Sequence, residues 1–502
     1  FIAGLNQTGS IFQENKNVDF VRLDSSIRTI SAKSFFGCSS LAHIFIPNSV
    51  TSIEDYSFSN CSSIRKINLP SSITKIGNCS FSGCESLEEI TIPSSVRSIG
   101  SNTFFGCKSL KRITISPSLS NIGANAFNGC QLLHDVYITI SENQNKSNSN
   151  SNNYCGFINY NNYDNNKNEI GESAFKSCSS LSRFDIPSNI TIIGSNSFCG
   201  CSSLFQISIP SSVKEIKEGA FFGCAQLKVV EFPNSIKSIH FRAFYGCKSI
   251  TKIIIPSSVE SIADETFRDC ISLQKVVIFS INYGTKVGKN VFSGCKSLTQ
   301  IQCNPPKISF QSNPFNDCTS LYFFIFDPSI KTIEEGWFRR TQQKTSFYYN
   351  QNSQEANQKK PSEIFIPDSV TYLGHNAFLG FSSLVKINIP SSVSRIGDSV
   401  FKDCISLKEI EIPSSINSIP RCAFYGCISL ANILIPSSVT NIGYEAFNGC
   451  KSLSKITFTS TIKNIDSRAF INCPNLEITL PSSYRNNYYF RYLEQNTKII
   501  YK

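Results

Sequence analysis

Hydrophobic and polar positions follow one template that returns almost always every 23 residues. The stretch from Cys84 to Cys107 shows it. Leu87, Ile90 and Ile92 are apolar, and the two isoleucines alternate with Glu89 and Thr91. That alternation predicts a strand with one buried face. Pro93 has no N–H to offer a neighbouring strand and predicts its end; Ser94 and Ser95 predict a turn. Val96 and Ile99 point inward again from a second, shorter extended segment. Gly100 is expected to permit a sharp reversal of the chain. Phe104 then leads back to Cys107. This phenylalanine recurs eighteen times, from Phe35 to Phe470, three places before an anchor that is Cys in sixteen copies; Thr341 and Phe381 fill the other two. A fixed period of 20–29 residues predicts a solenoid, in which no coil buries its apolar face alone. The expected fold is a β-rich solenoid of 18 coils, with parallel strands on a concave face, capped ends, and the phenylalanines stacked as an internal spine.

The template covers residues 18–481. Residues 1–17 are expected to be an N-terminal flank. Residues 482–502 are expected to form a C-terminal cap from a short helix and a final strand at Ile499 and Ile500. Two insertions interrupt the period. Residues 141–168 are dominated by Asn and Ser and predict disorder, having too few apolar groups to offset ordering entropy. Residues 342–360 form the second. One follows a long strand and the other precedes one, which places them on opposite rims; a two-residue expansion at Asn282–Gly284 shares the first rim. They are either neutral loop expansions or rim loops that touch a partner.

Composition narrows the function. Of 502 residues, 40% are hydrophobic, enough for a continuous core. No apolar run is long enough for a transmembrane helix, and the start does not resemble a secretory signal. A chain that begins with Phe1 and contains no Met reads as processed or as a fragment. The net charge of +11 is spread along the chain, whereas a nucleic-acid partner needs clustered basic residues; none is expected. Sixteen of the 21 cysteines share the anchor position. Stacked coils would bring them to ~4.8 Å, but with parallel side chains that do not meet as a bridge requires. They are read as reduced residues in a small apolar buried site. Cys79, Cys155, Cys199, Cys303 and Cys422 lie outside the ladder without metal-ligand spacing. His43, His134, His240 and His375 occupy unrelated phases, and no nucleophile motif is present. No catalytic residue, metal or cofactor is expected.

The phrase Ile435-Pro-Ser-Ser-Val-Thr-Asn-Ile-Gly443, followed by Ala446-Phe447-Asn-Gly-Cys450 and Leu453, resembles the BspA-like, or Treponema-type, leucine-rich repeat family. The resemblance extends over residues 18–481, and the Tyr-rich tail is similar to that family's C-terminal cap. It implies a surface or secreted protein of mucosal bacteria or protists, adhering to host proteins or to other microbes, with no catalytic residues to carry over. A scaffold does not by itself supply a function.

Each long strand has two outward positions. The first runs through Lys66, Glu89, Arg112 and Asp135 with mixed signs. The second, from Ile254, continues Val277, Gln302, Ile325 and Phe365, so four of five coils carry an apolar residue there. Phe323 sits beside Ile325, and Lys252 and Lys275 border the patch. Apolar patches mark interaction sites and aromatics anchor them. Ile254, Val277, Phe323, Ile325, Phe365, Lys252 and Lys275 are therefore the candidate ligand-binding residues. Two other readings are open: strands carry β-branched residues on either face, or the second insertion covers the patch. The leading expectation is a non-enzymatic adhesin for a protein ligand; an intracellular scaffold and self-association through the patch stand beside it. Asn145, Asn189, Asn6, Asn60 and Asn78 lie in sequons and are glycosylation candidates if a eukaryote secretes the chain.

Overall fold

The computed structural model describes residues 2–3, 12–138, 168–279, 285–304, 309–321, 323–325, 330–341, 346–348, 363–458, 462–485, 493 and 497–502. All but Asn168 of the Asn/Ser insertion expected to be disordered lies outside them, as do the 282–284 expansion and most of 342–360. The chain forms two units, Phe1–Ile250 and Thr251–Lys502. Each is a parallel-strand β-solenoid of the expected kind. The eighteen anchors enclose about 17 turns of ~23 residues.

In the first unit the long strands pair in register, Glu89 with Arg112 and Arg112 with Asp135. Alternation sends Ile90 and Ile113 into the core and Glu89 and Arg112 outward. The short segments form a second parallel ladder, through Ser98–Ile99, Asn121–Ile122, Glu169–Ile170 and onward. Between the ladders runs the ring spine. Consecutive rings are 5.0–5.5 Å apart and tilted by 2–14°. These are offset stacks, the favoured arrangement for aromatic pairs, and burying each ring contributes about 2 kcal/mol. The spine starts earlier than the template predicts. Phe12, inside the expected flank, stacks on Phe35 at 5.3 Å. The insertion does not interrupt the stack, since Ile122 pairs with Ile170 and Phe127 stacks on Phe175.

The back of each coil is laddered as well. Phe81 and Gly83 donate their N–H groups to the carbonyls of Thr103 and Phe105 in the next coil, while Cys84 donates back to Phe81 within its own. This alternation requires left-handed residues, such as Asn102 at φ 54° and Gly106 at φ 69°. Gly100 is different. Its φ is not left-handed, and a Cβ there would lie 3.0 Å from the Asn78 nitrogen and the Gly77 carbonyl carbon. It is needed for close approach of two coils and not, as its place after Ile99 suggests, for a chain reversal.

The cysteine ladder also does more than fill space. Each thiol donates to the carbonyl of the spine phenylalanine in the preceding coil: Cys84 to Phe58 and Cys107 to Phe81 at 3.2 Å, Cys318 to Phe292 at 3.1 Å. A thiol is a weak donor, but it is small and apolar enough to sit in the buried core while giving the carbonyl a partner. None of the twenty described cysteines is in a disulfide. Phe381, a buried residue at an anchor, has no donor to offer Phe338. Thr341, the other exception, donates its hydroxyl to that same Phe338 carbonyl at 2.8 Å. Thr341 thus serves, from within its own coil, the carbonyl that an anchor cysteine at 381 would have served.

In the second unit, twelve long strands from Lys252–Ile255 to Lys498–Tyr501 form one parallel sheet. One belongs to the second insertion. Ser346–Tyr348 pairs with Phe323–Ile325 on one side and with Ile364 on the other. This part of the insertion is therefore a rung of the sheet and not a rim loop. The short ladder has no counterpart, because Thr332–Ile333 pairs directly with Tyr372–Leu373. Several spine rings of this unit are further apart or more tilted than those of the first: 6.1 Å and 12° for Phe292 and Phe315, 6.0 Å and 25° for Phe315 and Phe338, 5.6 Å and 18° for Phe338 and Phe378. Large residues fill the widened core: Phe310 meets Phe315 at 5.1 Å and Trp337 at 5.6 Å, both edge-on. Among the described residues of the C-terminal tail, a 3-10 turn at Ser482–Tyr484 stands where a short helix is expected, and Lys498–Tyr501 pairs parallel to Glu477–Leu480.

Two outcomes follow from the ladder. Burial pushes the thiols of Cys84 and Cys107 well above their ordinary value, and that of Cys473, nearer the end, up to about 11. The unfolded thiol ionises near 8.5. Above that pH the unfolded chain binds fewer protons than the folded one, so stability must fall as pH rises. The expected slope is about 1.4 kcal/mol per pH unit for each buried thiol in a cooperative unit. Urea midpoints compared at pH 8 and pH 10 should show the loss, and Cys→Ala substitutions in the ladder should flatten it. Separately, Thr341→Val should destabilise the second unit by about 1 kcal/mol, readable from the emission of Trp337, the chain's only tryptophan.

Candidate interaction surface

The outward positions of the long strands are the surface that repetition makes continuous. In the first unit they are self-paired. Glu89 accepts from Lys66 at 2.7 Å through one oxygen and from Arg112 at 2.8 Å through the other. Lys66 first, and then Arg112, hold its carboxyl below the usual range. Asp135, next in register, takes His134 at 3.0 Å and the Tyr137 hydroxyl at 3.2 Å. In-register stacking sets residues 23 apart side by side, where like charges repel and opposite charges attract. The mixed signs of the sequence are this alternation. Lys66, Asn68, Glu89, Thr91, Arg112 and Tyr137 line a shallow depression of about 270 Å³. Tyr137 is 53% exposed at its margin. The depression offers hydrogen-bonding groups but little unspent charge.

The second unit repeats the rule toward its C-terminus. Lys386 pairs with Glu409 at 2.7 Å and Lys498 with Glu477 at 3.0 Å. It breaks the rule at its start. Lys252 and Lys275 are register partners of the same sign, and neither has a carboxylate partner among the described residues. Beside them Ile254 is 41% exposed, as expected. Val277 is not: at 8% exposure it is buried, which corrects its place in the candidate patch. A short β-branched side chain between the longer Ile254 and Gln302, both in register with it, is covered by them. Phe323, Ile325 and Phe365 fall in strands of the same sheet, but their side chains lie outside the description. Ile325 is paired with Tyr348, so the rung from the insertion separates it from Phe365. Leu434, 70% exposed, stands alone between Glu411 and Thr457, and isolated surface leucines are ordinary.

Of the sequon residues, Asn60 and Asn78 are exposed and Asn189 is half-buried; Asn6 and Asn145 lie outside the described residues. Asn78 uses its side-chain oxygen to accept from the Ser101 N–H at 2.7 Å. Among the described residues no group of three or more His, Cys, Asp or Glu could hold a metal ion. No helix of the described residues is long and apolar enough to cross a membrane.

The family model for a BspA type Leucine rich repeat region matches the chain six times, over residues 8–134, 84–205, 135–249, 192–284, 237–359 and 356–477. A comparison with curated proteins gives no match. Among solved structures, a leucine-rich repeat protein from Bacteroides ovatus is 23% identical, with 98% of this chain and 86% of that one covered and a TM-score of 0.38. A leucine rich cell surface protein from Faecalibacterium prausnitzii is 24% identical, with 83% of each chain covered and a TM-score of 0.32. The leucine-rich repeat protein of T. pallidum is also 24% identical, over 40% of this chain and 77% of that one, with a TM-score of 0.27.

If cross-rung pairing governs this surface, Glu89→Lys should lower the melting temperature of the first unit, because it sets three positive charges side by side. Added salt should recover part of the loss. An unchanged melting temperature at low salt would show that these pairs contribute nothing.

Proposed function

The chain belongs to the BspA-type leucine-rich repeat family, and we propose that it is a non-enzymatic protein-binding scaffold acting at a cell surface or after secretion. Leucine-rich repeat proteins commonly bind proteins. The ligand is taken on the long-strand, concave face of the second unit. The observation that carries this reading is local: Ile254 is exposed beside two lysines that the surrounding charge pattern leaves unpaired. Phe323 and Ile325 belong to a strand two rungs beyond Lys275–Phe279 in the same sheet. Aromatic side chains in such positions supply large contact area at small entropic cost.

An intracellular scaffold is the second reading. The reduced cysteine ladder favours it, since a reducing compartment keeps thiols free. Labelling of intact cells with an antibody against the chain separates the two, because only a surface protein is stained without permeabilisation.

The binding face is tested by capture on immobilised extracellular matrix proteins. Ile254→Asp with Phe323→Asp should weaken capture about tenfold or more, the scale of a lost interface anchor. Undiminished capture by a variant with a normal melting curve would retire this face as the site.

A further inference from the structure

Register partners of like charge are destabilising in a sheet, and among the described residues of the first outward row they occur once. Lys66, Glu89 and Arg112 alternate in sign and are bonded in sequence. Lys386 and Glu409 alternate and are bonded, as are Glu477 and Lys498. Lys252 and Lys275 face each other across adjacent rungs, with the neutral Gln300 next in register. A glutamate at either position would complete the pattern the rest of the surface follows. Stability forgone at a surface position is a mark of function.

We propose that Lys252 and Lys275 together hold one carboxylate of an acidic polypeptide segment, whose neighbouring apolar side chain rests on Ile254. This rests on the reading of the second unit's long-strand face as the binding surface and names the chemistry of its partner. The rungs are ~4.8 Å apart. A carboxylate has two oxygens and about four acceptor sites, so a single Asp or Glu can take one ammonium on each oxygen. Successive side chains on one face of an extended peptide are ~6.6 Å apart, which does not match the rung spacing, so two carboxylates would fit the pair less well than one. Ile254 decides the class of partner. It lies on the same strand as Lys252, two residues on, and on the same face. A sulfated polysaccharide would satisfy the lysines but has no aliphatic side chain to set against Ile254; a polypeptide with an apolar residue beside the acid uses both.

The full-length chain is titrated by fluorescence anisotropy with three probes: a synthetic peptide of alternating Glu and Leu, its Gln and Leu counterpart, and heparin. The variants are Lys275→Glu, Lys252→Gln, Ile254→Asp, and Lys386→Gln as a control on a lysine already paired with Glu409. The Glu–Leu peptide should bind about tenfold or more tightly than its Gln counterpart, as a charge-assisted contact requires. Lys275→Glu should abolish that preference and yet raise the thermal midpoint, because it installs the pairing seen between Lys386 and Glu409. Lys386→Gln should leave affinity unchanged. The proposal falls if Lys275→Glu leaves the preference intact, if no peptide binds, or if heparin binds while the peptides are not distinguished. Weakening by Ile254→Asp without any effect of the lysine variants would keep the face and remove the carboxylate. Loss of neither would remove both.

Discussion

Ring-on-ring stacking along the core sets the phase of every other position. In the first unit each phenylalanine lies 5.0–5.5 Å from the next, close to the ~4.8 Å spacing of paired strands. The two spacings can therefore coexist, with the small excess taken up by offset and tilt. Because the ring occupies one place in every coil, Ile90 must face inward and Glu89 outward, and their neighbours 23 residues away must do the same. A one-residue slip would turn every polar position into the core.

Such a core leaves backbone carbonyls near the axis that accept hydrogen bonds, and the fold answers with a small, largely apolar side chain that can still donate one. The thiol ladder is the result, and where Phe381 interrupts it the Thr341 hydroxyl donates to the Phe338 carbonyl in its place. Trp337 and Phe310 fill the same neighbourhood, next to the coil whose long-strand sheet carries an extra rung.

The surface obeys the same repetition. In-register stacking turns sequence neighbours at a distance of 23 into spatial neighbours, so charge must alternate or be neutral if it is not to oppose the stack. Where it alternates, the groups satisfy one another and little is left for a ligand. The lysine pair beside Ile254 departs from that economy, in the unit whose sheet also contains Phe323 and Ile325.

Much of this was legible in the sequence. The period, the two strands per coil, the buried spine and the identity of the outward positions are carried by residues within one coil, and periodicity alone assigns them. The outward placement of Ile254 and Lys252 follows on that basis. What depends on the neighbouring coil was not legible. Phe12 joins the spine although its anchor, Asn15, breaks the template. Gly100 is required by atoms of Gly77 and Asn78. Val277 is outward in phase and yet buried, because the side chains on either side of it are longer. The thiols' acceptors lie in the preceding coil, 26 residues away in sequence for Cys84 and 51 for Cys178, and residues 346–348 become a rung only because two strands stand ready to pair with them. Sequence fixes the direction in which each side chain leaves its coil; what it meets there is decided by the coil stacked against it, and only the tertiary structure specifies that.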